Sequence, residues 1–593
     1  MNRASASRAI LLCSVAGGIS ACHQASVERT DRAVYSLIED RQRAALGTTS
    51  AIHVDAADVD SQRGGMYSFA PRPADPALPE SFIPREEERP EDTAPAPPGQ
   101  EPSAESPAEV APSIFTPEEE SNAYVVGLVD TLAYAMRDAR LLQDAREELY
   151  LAALDLTLER HLWTPQFVAA VQARGEQANL GAADNLESSF TAVSDVSLAQ
   201  RLPYGGEISA RVINTLVRDL ERHVTSAESG NVILSANLPL LRGAGRVAYE
   251  SRYAAERAMI YAVRTYERFR RSFLVDIAAA FFDLQRLKAA IRNSYTAYQA
   301  RQRDWERADY INRMGRSPSI FEAPRAKSSL RQAEDSLVRS KEQYATALDR
   351  FKILIGMPVT ELLDVVDQDA DQASQSLDGL LPDVDVQTAV DVALEYRLDL
   401  LTSADQVDDA RRGVIVDRNR ILPDLDFIAG ATFETDPAHL DSLSYNLERN
   451  AWHGALELRL DDRKTERNAY RAALLGLRRA QRSHEEFVDS VRADVRRALR
   501  TIAQQADLRQ IQELNVDENE FRLEAARAQF ALGKSTNQDV VDAENDLLAA
   551  RNDYATAVAQ YRNAILRFRL DTGTLRIDDE GKWDNHSRRG APE

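Results

Sequence analysis

Three acidic residues, Asp367, Asp369 and Asp371, have the spacing with which a calcium-binding loop begins. Asp378 falls at the twelfth position, where such a loop has its last ligand. However, Gln372 occupies the sixth position, which needs glycine for a sharp turn, and the twelfth ligand is usually a bidentate glutamate. We therefore interpret this stretch as an acidic linker and predict no metal site in it.

Other chemical motifs are missing from the sequence. None of the 8 histidines lies in an HExxH motif or a paired metal-ligand spacing. There is no G-x-S-x-G elbow and no Walker A sequence, and Gly243-Ala244-Gly245 is followed by Arg246 and Val247 rather than by a dinucleotide fingerprint. We predict neither catalysis nor a cofactor.

The net charge of −22 argues against a nucleic-acid partner, because no basic patch offsets it. Two interpretations of this charge stay open, namely solubility and an acidic, water-filled interior. The mean hydropathy is −0.41, and no apolar run approaches 18 residues, so the sequence predicts no membrane-spanning helix in the mature chain.

The N-terminus has the order of an export signal. Arg3 and Arg8 precede an apolar run at 9–18, and small residues then lead to Cys22. A cysteine in this place resembles a bacterial lipoprotein lipobox, although Ile19 stands where leucine is usual. We expect Cys22 to be acylated after removal of residues 1–21, which would give a stable membrane anchor. The alternative is an ordinary signal with an incidental cysteine.

Residues 22–121 have the composition of an anchored tether. Residues 28–47 could form a short helix with Val34, Leu37 and Ile38 on one side. Residues 71–117 are dense in proline, glutamate, alanine and serine, which favours an extended, disordered linker.

Two very long helices are predicted. Residues 464–532 contain no proline and one glycine, Gly476, so they predict a rod of roughly 100 Å. Residues 246–313 contain neither glycine nor proline and predict a second rod of almost the same length. Both have apolar residues at alternating spacings of three and four, the pattern of helices that pack lengthwise; these residues are Ile277, Phe281, Leu284, Ile291, Tyr295 and Tyr298 in the first rod and Val488, Val491, Val495, Ala498 and Ile502 in the second.

Before each rod the pattern changes to the period of two that is typical of strands. This alternation runs over 231–240 in the first half and over 424–434 and 452–461 in the second. A helical stretch precedes the strands in both halves, at 124–162 and 386–422, and Pro165 or Pro423 ends it.

The two halves are related by duplication. The prolines 165 and 423 are 258 positions apart, whereas Tyr344, Phe351 and Gly356 recur 217 positions later as Tyr561, Phe568 and Gly573. The first half therefore carries about 41 extra residues between its strands, which we interpret as an added hairpin at about 187–217, turning at Gly205-Gly206. We expect repeats at 122–360 and 382–574, an acidic linker at 361–381 and a polar tail at 575–593.

The repeated order of helix, two strands, long helix, turn and helix resembles the TolC family of outer-membrane efflux and secretion proteins. The run Leu-Pro-Leu-Leu-Arg-Gly-Ala-Gly-Arg at 238–246 and the run 530–544 around the second turn support this resemblance, which covers about 122–574. It implies a mainly α-helical fold with a β-barrel portion. Three copies would each give four strands to one transmembrane barrel and their long coiled-coil helices to a periplasmic tunnel.

The resemblance also implies partners and site residues. The family works with a periplasmic adaptor (membrane fusion) protein and an inner-membrane transporter, and it lies in outer-membrane lipid. Its narrow-end acidic pair falls on Asp539 and Asp542, whose spacing of three places both on one helix face. On a three-fold axis each would form a ring that selects for cations, with some pKa values raised by the like charges. Alternatively, Asp539 only stabilises the first turn of its helix.

Residues at the two turns are candidate adaptor contacts: Gly315, Arg316, Gly533, Lys534 and Ser535. The alternative is ordinary turn chemistry. The function that follows is a trimeric exit duct for a tripartite efflux pump or a type I secretion system. The competing interpretation is a periplasmic coiled-coil scaffold lipoprotein without a pore.

Overall fold

The structure, a computed structural model, describes residues 30–47, 49, 52, 123–179, 186–219, 227–314, 321–367, 385–435, 445–532 and 534–576. Cys22, Gly315, Arg316, Gly533 and the stretch 368–384 lie outside them. The elements in chain order are α1 (30–46), β1 (Tyr124–Val126), α2 (Leu128–Asp138), α3 (Arg140–His161), β2 (Gln166–Asn179), β3 (Leu186–Arg201), β4 (Glu207–Asp219), β5 (Ala227–Pro239), α4 (Glu250–Arg313), α5 (Glu322–Ile355), β6 (Leu363–Val365), α6 (Val386–Tyr396), α7 (Leu398–Arg420), β7 (Asp424–Thr435), β8 (Tyr445–Arg459), α8 (Lys464–Ala531) and α9 (Asn537–Asp571).

Both rods are present as single helices, α4 and α8, each packed along a returning helix. Their seams face the core: Ile277, Phe281 and Leu284 of α4 are buried. In α8, Val491, Val495 and Ile502 are buried. The mainly α-helical fold that the resemblance implies is confirmed, and the strands form an antiparallel sheet.

The predicted helix over 124–162 is wrong in two places. Residues 124–126 form strand β1, which pairs in parallel with β6. A break at Ala139 then separates α2 from α3, and an equivalent break at Arg397 separates α6 from α7. Leu363 and Val365, placed in a linker by their acidic surroundings, are fully buried in β6. Short pairings of this kind depend on contacts distant in the sequence, which periodicity does not report.

The added hairpin belongs to the main sheet. Six strands form one antiparallel sheet in the order β2-β3-β4-β5-β7-β8. Strands β3 and β4 are the insertion, joined by a turn at Gly205 and Gly206, where the sequence placed it. The sheet therefore has two more strands than the four that the family resemblance implies.

The duplication is repeated in a three-dimensional contact. Gly356 ends α5 with a φ of 85°, and a Cβ there would lie 2.2 Å from the carbonyl oxygen of Asp138. Gly573 follows α9 with a φ of 70°, and its Cβ would lie 2.8 Å from the carbonyl oxygen of Tyr396. Each glycine thus packs against the break between the first two helices of its own repeat.

Replacing Gly356 by alanine should destabilise the fold. The left-handed backbone alone costs roughly 1–2 kcal/mol for an L-residue, and the close carbonyl adds to it. The free energy of unfolding, measured by thermal or denaturant unfolding, tests this. Gly476→Ala is the matched control: Gly476 lies inside α8 with open space around its Cβ position, so alanine should stabilise the helix by about 0.5–1 kcal/mol. An equal effect at the two positions would contradict the packing role of Gly356.

Candidate functional site

The six-stranded sheet has one apolar face. Residues facing each other across successive strands are apolar in row after row, for example Phe167, Leu198, Ala210, Leu234, Ala431 and Trp452. Among the strand residues whose exposure is described, all but one of the exposed large hydrophobic side chains lie on this face; the exception is Val168. Trp452 is 71% exposed and contacts Phe433 edge to face.

The opposite face is predominantly polar. Arg211 on β4 donates to Asp195 on β3, with Nε 2.9 Å from Oδ1. His453, Glu457 and Arg459 of β8 lie on this polar face, and Arg459 donates to Glu457 at 2.7 Å. A sheet with one exposed apolar face and one polar face fits a wall between lipid and water.

The two outer strands of the sheet are β2 and β8, and within the described residues each pairs on one side only. Strands alternate in direction across an antiparallel sheet of six, so β2 and β8 run opposite to each other. A second copy of the chain could therefore pair its β2 with this β8 in an antiparallel ladder. Such exposed edges are otherwise sites of uncontrolled pairing.

The turn between α8 and α9 places the predicted acidic pair on the surface. Thr536 caps α9, and the Asp539 carboxylate accepts hydrogen bonds from Thr536 N at 2.7 Å and Thr536 Oγ1 at 2.8 Å, which completes a capping box. These bonds, to the backbone first and the hydroxyl second, lower the pKa of Asp539. In the single chain, the capping bonds thus act opposite to the rise expected in a ring of like charges.

The other described tip residues are also on the surface. Asp542 is exposed and accepts a hydrogen bond from Gln538 Nε2 at 2.8 Å. Lys534 is exposed, and its backbone N–H donates to Gln529 O at 2.9 Å. Ser535 is half-buried and donates to Ala526 O at 3.4 Å. The hydrogen bonds of Lys534 and Ser535 to carbonyl oxygens of α8 are ordinary contacts of a turn at a helix end.

A buried ionic cluster ties this tip to the rod of the first repeat. Arg301 on α4 and Glu544 on α9 form an ion pair of 2.6 Å, and their side chains are only 4% and 6% exposed. Arg301 also donates to Val541 O at 2.8 Å and to Asn545 Oδ1 at 3.0 Å. Arg527 on α8 donates to the second oxygen of Glu544 at 2.7 Å. Three helices therefore converge on one carboxylate.

The neighbours of this buried pair are partly exposed: the side chain of Arg527 is 53% exposed and that of Asp304 is 26% exposed. Burial, and next to it the charge of Glu544, raises the pKa of the neighbouring Asp304. A small apolar core, Leu523, Val540, Ala543 and Leu547, packs beside Glu544 and holds α8 to α9. We name Arg301, Asp304, Arg527 and Glu544 the tip cluster.

The tip cluster was not predicted, although the sequence contains a signal for it. Glu544 stands four residues after Val540 and three before Leu547, so it interrupts the apolar face of α9. Arg301 likewise follows Ile291 and Tyr298 along the seam of α4. A charge on an apolar face indicates a buried partner, but the sequence does not say which one.

The rod α8 is far less covered than α4. It exposes Leu475, Ile511, Leu514 and Phe521, each at 50% or more, and buries only Val491, Val495, Ile502 and Leu523. Ile511, Leu514 and Phe521 share one side of the helix by their spacing. An apolar stripe of this kind on a long helix indicates a surface for another helix.

Metal-binding clusters of three or more histidine, cysteine or acidic residues do not occur in the part of the chain that the structure describes. Asp367, the first residue of the calcium-like sequence, pairs with Arg292 at 2.7 Å. No described helix is long and apolar enough to cross a bilayer.

Comparison with known families adds the decisive observation: the model of the family "Outer membrane efflux protein" matches residues 389–574.

The second repeat matches this family, and we refer to it as the efflux protein domain.

This domain contains β7, β8, α8, the second tip and α9, and its family consists of conduits rather than enzymes. No curated protein sequence matches the chain.

Solved structures extend this likeness beyond the efflux protein domain to most of the chain. The CmeC outer membrane channel of Campylobacter jejuni has a TM-score of 0.55 at 15% identity, covering 75% of this chain and 85% of its own. A membrane protein from Pseudomonas aeruginosa gives 0.57 at 14%, covering 81% and 98%. The open state of the Neisseria gonorrhoeae MtrE outer membrane channel gives 0.55 at 16%, covering 75% and 89%. The chain has the fold of TolC-family outer-membrane channels.

Proposed function

We propose that this chain forms a homotrimeric exit duct in the outer membrane, through which a tripartite efflux pump or a type I secretion system expels its cargo. The observation that carries the proposal is a sheet with one apolar and one polar face, whose outer strands can pair with those of another copy. This sheet is joined to helices of roughly 100 Å. The efflux protein domain and the shared fold support the same role.

Physical constraints support an oligomer. In lipid an unpaired strand edge leaves backbone N–H and C=O groups without partners, at several kcal/mol each. The edges of β2 and β8 must therefore be closed, and identical copies close them with the correct strand direction. The exposed apolar stripe of α8 gives the same copies a second contact along the helices.

The chain would transmit no energy of its own. A periplasmic adaptor protein would contact the helical tips. The candidate contacts are Gly315, Arg316, Gly533, Lys534 and Ser535. An inner-membrane transporter would supply the energy and choose the cargo. We further propose acylation of Cys22, which Cys22→Ser should abolish, as shown by the loss of lipid mass from the mature chain.

The tip would be the gate. Asp539 and Asp542 would line its narrow end, where the capping bonds that lower the pKa of Asp539 would oppose the rise caused by a ring of like charges. The tip cluster would hold the hairpin of α8 and α9 against α4 in the closed state. Opening then requires Arg301 and Glu544 to separate.

Planar-bilayer conductance of the purified, detergent-extracted protein tests the duct. Cation-selective channels from a heat-modifiable oligomer would support it. An oligomer that salt alone extracts from membranes and that conducts no ions would favour the periplasmic scaffold.

Neutralising the acidic pair should weaken block by multivalent cations. Asp539→Asn with Asp542→Asn removes six formal charges from a trimeric opening, so trivalent cations should require at least a tenfold higher concentration to block the current. Asp546→Asn is the control, since Asp546 pairs with Arg522 on α8 rather than lying at the end of the helix. If trivalent cations block the double variant at the same concentration as the wild type, these residues do not line the gate.

A further inference from the structure

We propose that the trimer closes a barrel of eighteen strands rather than twelve, because the inserted hairpin β3–β4 forms part of the channel wall. The inference rests on the proposed trimeric duct and deepens it. Six strands per chain, taken three times, give the count.

The first support is that the insertion continues the sheet on both sides. β3 pairs with β2 along fourteen positions, from Gln166–Ala199 to Asn179–Leu186, without a register shift. β4 pairs with β5 from Glu207–Asn237 to Val217–Ala227, again without a shift. A projecting arm would leave β2 and β5 paired to each other, whereas here they are separated by the hairpin.

The second support is the pattern of side chains on the hairpin. Phe190, Val196 and Leu198 of β3 and Ile208 of β4 are exposed on the apolar face. Asp195 and Arg211 form their ion pair on the polar face. Three rows of the hairpin also contain polar residues, since Ser194 faces Asn214, Gln200 faces Ile208 and Arg218 faces Phe190. A hairpin in water on both sides has no reason to keep one large apolar face exposed.

The third support is the set of contacts that hold the hairpin turn against the end of β5. Gly205 and Gly206 have φ values of 103° and 90°, and a Cβ at Gly206 would lie 2.2 Å from Asn237 O. Gly245 N donates to Tyr204 O at 2.7 Å, which fixes the turn to the junction between β5 and α4. The turn is thus held at the same end of the sheet as the other strand–helix junctions.

Two added strands per copy change the pore. Barrel diameter grows roughly in proportion to strand number, so eighteen strands give about 1.5 times the diameter of twelve. Barrels of 16–18 strands leave an open aqueous channel. The outer part of this duct would therefore admit bulkier cargo, such as polypeptide, than a twelve-stranded wall of the same tilt.

Site-directed spin labelling tests the hairpin directly. Val196→Cys and Ser197→Cys lie on the apolar and polar faces of β3, and Phe433→Cys and Thr432→Cys lie in the same rows on β7. Each is labelled with a nitroxide in a chain with Cys13 and Cys22 changed to serine, then reconstituted in phospholipid vesicles. Collisions with dissolved oxygen report lipid, and collisions with a nickel chelate report water.

We expect the labels at 196 and 433 to collide mainly with oxygen, and the labels at 197 and 432 to collide mainly with the nickel chelate. Equal nickel accessibility at 196 and 197, with alternation kept at 432 and 433, would place the hairpin outside the wall and overturn the eighteen-stranded barrel alone. Nickel access at all four positions would overturn the proposed duct as well.

Deleting residues 186–225 gives a second readout. It joins β2 to β5 through residues 180–185 and leaves their apolar faces aligned, because Phe167 and Leu234 already lie in one row. The largest polyethylene glycol that enters from the strand side should fall in radius by about one third. An unchanged size limit in a correctly assembled deletion variant would contradict the proposal.

Discussion

Arg301→Met should loosen the tip, because it breaks the buried ion pair with Glu544. Removal of one partner of a buried ion pair costs roughly 3–5 kcal/mol, because the remaining charge stays buried. Glu544 keeps Arg527, which places the expected loss near the lower end of that range. Hydrogen exchange of the backbone amides in the first turns of α9 measures the loss, and planar-bilayer conductance should rise as the closed tip opens more often.

Two controls separate the ion pair from general damage. Arg313→Met removes an exposed pair with Asp309 on the same helix, so its effect should stay below about 1 kcal/mol. Arg301→Met combined with Glu544→Leu removes both charges, and most of the lost stability should return. Unchanged amide exchange in the single variant, or no recovery of stability in the double variant, would show that the tip cluster does not hold α9 against α4.

Leu456→Arg should prevent stable insertion of the sheet. Leu456 is 68% exposed on the apolar face of β8, and arginine on a lipid-facing strand costs about 2–4 kcal/mol at the bilayer midplane. In a trimer each of the three copies adds this cost. We expect the heat-resistant oligomer to disappear from unheated electrophoresis gels and conductance to fall to the background.

Ala455→Arg is the matched control for this substitution. Ala455 is the preceding residue of β8 and lies on the polar face, so the same charge would point into water. This variant should assemble normally and shift only ion selectivity. Equal damage from both substitutions would mean that the two faces do not meet different solvents.

The sequence predicted the helices and the turn of the added hairpin well, because both have strong local signals. An uninterrupted 3–4 spacing defines α4 and α8, and Gly205-Gly206 marks a turn that only positive φ values allow. The repeat offsets also led to Gly356 and Gly573, whose equivalent contacts follow from the duplication.

Other features depend on contacts between distant parts of the chain. Strand β1 has three residues and exists through its pairing with β6, more than 230 positions away. The pairing of Arg301 with Glu544 joins two repeats, and a single sequence gives no information on which buried charges meet. The low pKa of Asp539 depends on the orientation of the Thr536 cap, which the acidic spacing does not specify.

Disulfide formation between the free edges of neighbouring copies tests the central claim most directly. Ala170→Cys on the polar face of β2 is combined in turn with Ala451→Cys, His453→Cys or Ala455→Cys on the polar face of β8, since antiparallel neighbours reach disulfide distance at one register. Oxidation of intact membranes should give, for one of these pairs, a covalent product that stops at three chains. No covalent product for any pair, or a ladder that continues beyond three chains, would contradict a sheet closed by three copies.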